Sequence, residues 1–147
     1  MLIGRYFTQV SEKGRIALPA KFRKETGNKI IIARWYEECL VIVGQQGWDR
    51  LLARLTNKEE VVTRPIRSVE RFILSTAFEV ETDDQGRFVI PQILRDIAKI
   101  EDKLIFLGLG ERIELWDLET WEKEEVKVKT EADRMLEEIS KQRKTKT

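Results

Sequence analysis

The sequence predicts an α+β fold: two similar β units in tandem, related by a pseudo-two-fold axis, with connecting and C-terminal helices. Three observations carry the prediction. One motif occurs twice, 72 residues apart, as Lys13-Gly14-Arg15-Ile16-Ala17-Leu18-Pro19 and Gln85-Gly86-Arg87-Phe88-Val89-Ile90-Pro91. Short alternating or continuous apolar runs flank each copy, the pattern of strands. Between the copies, and again after the second, apolar residues recur every three or four positions, the pattern of helices.

Each unit opens with a predicted β-hairpin. Tyr6 to Val10 alternates in side-chain type, Glu12-Lys13-Gly14 supplies the turn, and Ile16 to Leu18 returns. Phe78 to Thr82, Asp84-Gln85-Gly86 and Phe88 to Ile90 repeat the pattern. Pro19 and Pro91 end the return strands and can open a helix, where a missing N–H costs nothing. The helices that follow are Ala20 to Thr26, stopped by Gly27, and Gln92 to Ala98. Two more strands complete each unit: Lys29 to Ala33 with Leu40 to Val43, and Lys103 to Leu107 with Arg112 to Trp116. The repeats are bounded at 1–56 and 77–125, with a connecting helical segment at 57–76. Trp48, Leu51, Leu52 and Leu55 share one helix face, and Pro65 begins a helix carrying Ile66, Val69, Phe72 and Ile73. Trp121 opens a helical segment. A C-terminal helix and basic tail occupy 126–147, with a stripe of Ala132, Met135, Leu136 and Ile139 and a frayed end from Lys141 to Thr147.

A chain of 147 residues can bury a core of its own. No apolar run approaches the roughly 18 residues of a membrane span, and the start lacks the apolar region of a signal peptide. Cys39, the single cysteine, cannot form an internal disulfide and reads as a small buried thiol in a strand. The cytoplasm is the expected compartment. The net charge of +1 hides a basic start: Arg5, Lys13, Arg15, Lys21, Arg23 and Lys24 stand against one acid, Glu12, up to Lys24. Nucleic acid could therefore be bound only through a local patch.

Gly14 and Gly86 are expected to supply left-handed turn conformations, so that the following arginine projects from each tip. Alternation places Arg15 opposite Ile16 and Leu18, exposed. Two hairpins joined by a two-fold axis would form a β platform with Arg15, Arg87, Lys13 and Arg5 near its surface. A two-stranded ribbon fits the DNA major groove, where arginine can hold guanine bidentately. Structural alternatives stand beside this reading. Asp83 and Arg87 could brace the turn as an ion pair, Arg15 could be a solvated surface residue, and Arg23 and Arg95 could pair with nearby acids. The strand face Phe7, Gln9, Ser11 of the first unit becomes Glu79, Glu81, Asp83 in the second. Those acids repel phosphate, so the first hairpin is the better candidate reader.

These residues resemble the MraZ family of bacterial transcriptional regulators, a two-repeat branch of the AbrB-like swapped-hairpin DNA-binding proteins. The resemblance covers residues 1 to 140. It rests on the paired Gly-Arg-(apolar)3-Pro motifs, the Cys39-Leu40 strand leading to Trp48, and Arg112-Ile113-Glu114-Leu115-Trp116 leading to Trp121. The family's Asp-x-x-x-Arg signature is present as Asp83 and Arg87; the first copy keeps Arg15 but has Ser11 for the aspartate. The resemblance implies a pseudo-symmetric swapped-hairpin β-barrel. It also implies a repressor that binds double-stranded DNA at the promoter of the division and cell wall gene cluster, through short tandem repeats, and is associated with the nucleoid. Ring-shaped homo-oligomers, usually octamers, are implied as well. The alternatives are a homo-oligomeric AbrB-fold interaction protein and an antitoxin-like regulator.

Catalysis is not expected. The chain has no histidine, the commonest general base and metal ligand. One buried cysteine completes neither a Cys-His pair nor a zinc set. Gly108-Leu109-Gly110 reads as a turn between strands rather than a phosphate cradle. No cofactor, metal or membrane partner is expected.

Overall fold

A computed structural model describes residues 1–56 and 61–145. The first unit contains β1 (Leu2–Gln9), β2 (Arg15–Ala17), α1 (Ala20–Thr26), β3 (Lys29–Arg34) and β4 (Leu40–Gly44). Two helices follow, α2 (Gln45–Thr56) and α3 (Arg64–Ile73), then a 3-10 turn at Leu74–Thr76. The second unit contains β5 (Phe78–Glu81), β6 (Arg87–Val89), α4 (Gln92–Ile97), β7 (Lys103–Gly110) and β8 (Ile113–Asp117), and the long α5 (Leu118–Thr145) ends the described chain.

Six strands form one antiparallel sheet in the order β1-β7-β8-β4-β3-β5. Exchanging each strand for its counterpart in the other unit gives the same order read backwards. Each unit therefore contributes an edge strand to the other: β1 lies on β7, with Tyr6 opposite Phe106, and β5 lies on β3, with Val80 opposite Ile30.

The predicted hairpins are not local. Beyond β1, the Val10 N–H donates to the Asp102 carbonyl at 2.9 Å, and beyond β5 the Thr82 N–H donates to the Asn28 carbonyl at 2.8 Å. Each upstream strand is held by the other unit to its end, so the returns β2 and β6 pair with each other in a separate two-stranded ribbon. The expected closed barrel is corrected for the same reason. No return strand covers β1 or β5, and among the described residues these remain the edges of an open sheet.

The four inner strands are mostly apolar because both their faces are covered. Ile30, Ile32, Leu40, Ile42, Leu104, Phe106, Ile113 and Leu115 face one core, closed by the β2–β6 ribbon, α1 and α4. Ile31, Ala33, Val41, Val43, Ile105, Leu107 and Trp116 face a second core, closed by α2, α3 and the start of α5. Helices α1 and α4 each bury one anchor at the same repeat position. Phe22 is fully buried with its ring edge-on to Tyr6, centroids 4.9 Å apart, and Leu94 is its counterpart. Burial of such a side chain stabilises by about 1.5–3 kcal/mol. Pro19 and Pro91 precede these helices with nearly identical backbone angles, φ −52° in both and ψ 137° and 135°.

In the segment between the units, residues 61–63 are not helical. Of 57–76, residues 57–60 lie outside the described residues; α3 and the 3-10 turn occupy only 64–76. The tail expected to fray is helical to Thr145, and residues 146–147 lie outside the described residues. Arg134 bridges Glu131 at 3.3 Å and Glu138 at 3.9 Å, and such intrahelical pairs add about 0.2–0.5 kcal/mol each. Trp121 is buried against Trp116, ring centroids 5.3 Å apart. From Val126 to Thr145 every residue but Glu131 is exposed, so the last 20 residues of α5 extend from the body for about 30 Å.

Candidate nucleic-acid interface

Two tight turns lead into the ribbon, and their backbones match. In the first, Ser11 N–H donates to Arg15 O at 2.9 Å and Gly14 N–H to Ser11 O at 2.9 Å. In the second, Asp83 N–H donates to Arg87 O at 3.0 Å and Gly86 N–H to Asp83 O at 2.9 Å. Gly14 and Gly86 have φ of +74° and +80°, the left-handed region expected at both.

The ribbon register sets which side chains share a face. Arg15 lies opposite Val89, Ile16 opposite Phe88 and Ala17 opposite Arg87. Ile16 and Phe88 point into the first core, 2% and 4% exposed. The outer face therefore carries Arg15, Ala17, Arg87 and Val89. Arg15 and Arg87 are diagonal neighbours, a relation that spaces Cα atoms by about 7–8 Å. Lys13 is exposed beside them at the first turn. Arg15 is half-buried rather than fully exposed, and its Nε is covered with no hydrogen-bond partner.

Arg87 is held differently. Its Nε donates to Asp83 Oδ2 at 2.7 Å, while Asp83 Oδ1 accepts the backbone N–H groups of Arg87 at 2.8 Å and Gln85 at 2.9 Å. The Arg87 N–H, then the Arg87 guanidinium and the Gln85 N–H, hold the Asp83 carboxyl below the usual carboxylate range. Ser11 reproduces one part of this arrangement: its Oγ accepts the Arg15 N–H at 3.1 Å.

The two tips also differ in what covers them. A side chain at Gly14 would meet open space, whereas a Cβ at Gly86 would lie 2.6 Å from Arg23 Cδ and 2.8 Å from Leu18 O. Arg23 Nη1 donates to Asp84 O at 3.1 Å, and Leu18 N–H to Gly86 O at 2.9 Å. The second turn is thus docked onto the first unit, whereas the first turn is open at Gly14. Arg23 and Arg95, for which the sequence leaves structural pairing and ligand contact open, both bind backbone carbonyls, Arg95 reaching Ile100 O at 3.3 Å and Glu101 O at 2.8 Å. The docking of the second turn by Arg23 had no local signal, because 61 residues separate Arg23 from Asp84.

Arg5 lies on β1. Its guanidinium forms an ion pair with Glu125 and stands over the Trp121 ring, 5.4 Å from the centroid. These contacts tie β1 to α5. Glu79 and Glu81 are exposed on β5 opposite Ile31 and Lys29, leading into the second turn. Among the described residues no group of His, Cys, Asp and Glu is arranged to hold a metal, and no helix is long and apolar enough to cross a membrane.

The family model described as "MraZ protein, putative antitoxin-like" matches the chain twice, over residues 1–72 and 73–143. A protein named Transcriptional regulator MraZ from Thermoanaerobacter sp. (strain X514) is 39% identical over 122 residues, spanning 83% of this chain and 85% of the relative. Relatives of the same name are 38% identical in Caldanaerobacter subterraneus subsp. tengcongensis, with the same coverage. In Caldicellulosiruptor saccharolyticus the figure is 39%, over 84% of this chain and 86% of the relative.

Proposed function

The chain belongs to the MraZ family, whose named relatives are transcriptional regulators and not enzymes, and on that premise we propose that it binds double-stranded DNA through the outer face of the β2–β6 ribbon. The observation that carries the proposal is the diagonal pair Arg15 and Arg87 on one face of an antiparallel two-stranded ribbon, with Lys13 beside it. A ribbon of this kind fits the major groove, and a guanidinium matches the O6 and N7 acceptors of guanine. Lys13 adds attraction to phosphate, which is independent of sequence and weakened by salt.

Gly14, Gly86, Pro19 and Pro91 act in this reading by fixing the turns and the ends of the ribbon. Pairing of β2 with β6 supports the swapped-hairpin description, in which repeats at 1–56 and 77–125 contribute one turn each. The chain acts as a repressor at the promoter of the division and cell wall gene cluster, on short tandem repeats at the nucleoid. It works as a ring-shaped homo-oligomer, an octamer. The exposed stripe of Met135, Leu136 and Ile139 on α5, 42%, 63% and 46% exposed, supports assembly, since apolar surface of this kind marks protein contacts. Several subunits on tandem sites would multiply a modest affinity into avidity.

Titration of the purified chain against its own upstream DNA and a scrambled duplex, at several salt concentrations, tests the proposal. Tighter binding to the upstream duplex, with affinity falling as salt rises, is the expected result. Equal affinity for both duplexes at every salt concentration would overturn it.

A further inference from the structure

The two arginines of the ribbon occupy the same repeat position, yet their side chains are restrained unequally. Asp83 accepts from Arg87 Nε at 2.7 Å, so this guanidinium has one donor committed and its plane fixed. No described residue accepts from its Nη atoms, which form the end-on fork that matches guanine O6 and N7. Ser11, at the position equivalent to Asp83, is too short and carries no charge. It accepts only the backbone N–H of Arg15 at 3.1 Å, and Arg15 Nε has no protein partner.

Two physical consequences follow. A braced side chain loses less freedom when it meets a base, and a misaligned base cannot draw it away, so bracing favours discrimination. The carboxylate that braces it also offsets its charge. Asp84 and Glu81 stand close by in sequence, so Arg87 adds little long-range attraction. Arg15 has the opposite properties: no carboxylate within its turn touches it, its neighbour Lys13 is cationic, and its turn is open at Gly14, where nothing lies within 4 Å of an added Cβ.

We propose that the two arginines divide the work of DNA binding, Arg87 braced by Asp83 setting base preference and Arg15, unbraced beside Ser11, supplying sequence-independent affinity. The inference rests on the ribbon being the DNA surface. It reverses the expectation that the first hairpin is the better reader, because acids that repel phosphate at a distance can still orient a base-reading arginine at contact.

The test uses the full chain and two fluorescent duplexes, its own upstream region and a scrambled sequence of equal composition, at fixed salt. The readout is the ratio of the two affinities. Asp83→Asn is expected to lower that ratio by at least about fivefold, the lower end of what one bidentate base contact discriminates, while affinity for the scrambled duplex holds or rises. Arg87→Lys keeps the charge, removes the fork and leaves the turn backbone intact; the same loss of ratio is expected if Asp83→Asn fails to fold. Arg15→Ala is expected to weaken binding to both duplexes by the same factor and leave the ratio unchanged. A ratio that collapses in Arg15→Ala and survives in both Asp83→Asn and Arg87→Lys would overturn the division while leaving the DNA surface in place. A wild-type chain with no preference for either duplex would overturn the DNA reading itself, and the division with it.

Discussion

Alanine at the two turn glycines separates the turn that is open at its glycine from the docked one. Gly14 and Gly86 share a left-handed backbone, with φ of +74° and +80°. A Cβ in that conformation costs roughly 1–2 kcal/mol, so Gly14→Ala should destabilise by about that amount and no more, because nothing lies within 4 Å of its new methyl. At Gly86 the same methyl would sit 2.6 Å from Arg23 Cδ and 2.8 Å from the backbone oxygen of Leu18. The arginine can swing aside, but Leu18 is fixed: its own N–H donates to Gly86 O at 2.9 Å and its side chain is 1% exposed. Forcing a group into such a contact costs about 1–3 kcal/mol more. Gly86→Ala should therefore lose roughly 2–5 kcal/mol in total, on the sum of these two ranges. Urea unfolding followed by circular dichroism, at one protein concentration so that assembly contributes equally, measures both variants. Equal losses at the two positions, or a larger loss at Gly14, would refute the docking of the second turn on the first unit.

Asp83 gives a pH dependence of defined sign. Its carboxyl is held below the usual range, so the order it imposes on the second turn is complete above the ordinary carboxylate pKa of about 4 and is lost as pH falls through the lowered value; Asp83→Asn should lack this acid transition when the turn is followed by NMR. Burial pushes the Cys39 thiol far up, so native protein at pH 8 should resist alkylation over hours and react promptly in urea. Leu136→Glu on α5 should lower the mass seen by light scattering without reducing helix content, whereas an unchanged mass would place the assembly contact elsewhere.

Much of the fold was readable because the repeat fixed equivalent positions independently of local propensity. The helices at Ala20–Thr26 and Gln92–Ile97 follow from Pro19 and Pro91, and the four inner strands follow from apolar runs too short for helices. Partner choice was not readable. Alternation in Tyr6 to Val10 says which residues face a core, but not that Val10 bonds to Asp102 and not to its own return strand. Sequence proximity favours a local hairpin, and long-range pairing overrode it in both units. The candidate site divides in the same way. The four-residue spacing of Asp83 and Arg87 offered an ion pair as one reading, and the structure forms it at 2.7 Å. Arg5 stands out in the sequence only as part of the basic start, whereas the structure pairs it with Glu125, 120 positions away on α5. A charge count along the sequence cannot see such a partner.

The claim that DNA lies on the outer face of the β2–β6 ribbon is tested most directly by hydrogen exchange of the full chain with and without its upstream duplex. Protection is expected in peptides spanning residues 11–18 and 83–90, with α5 beyond Val126 unchanged. Protection confined to α5 or to the edge of β5, with both turns exchanging as in the free protein, would contradict it.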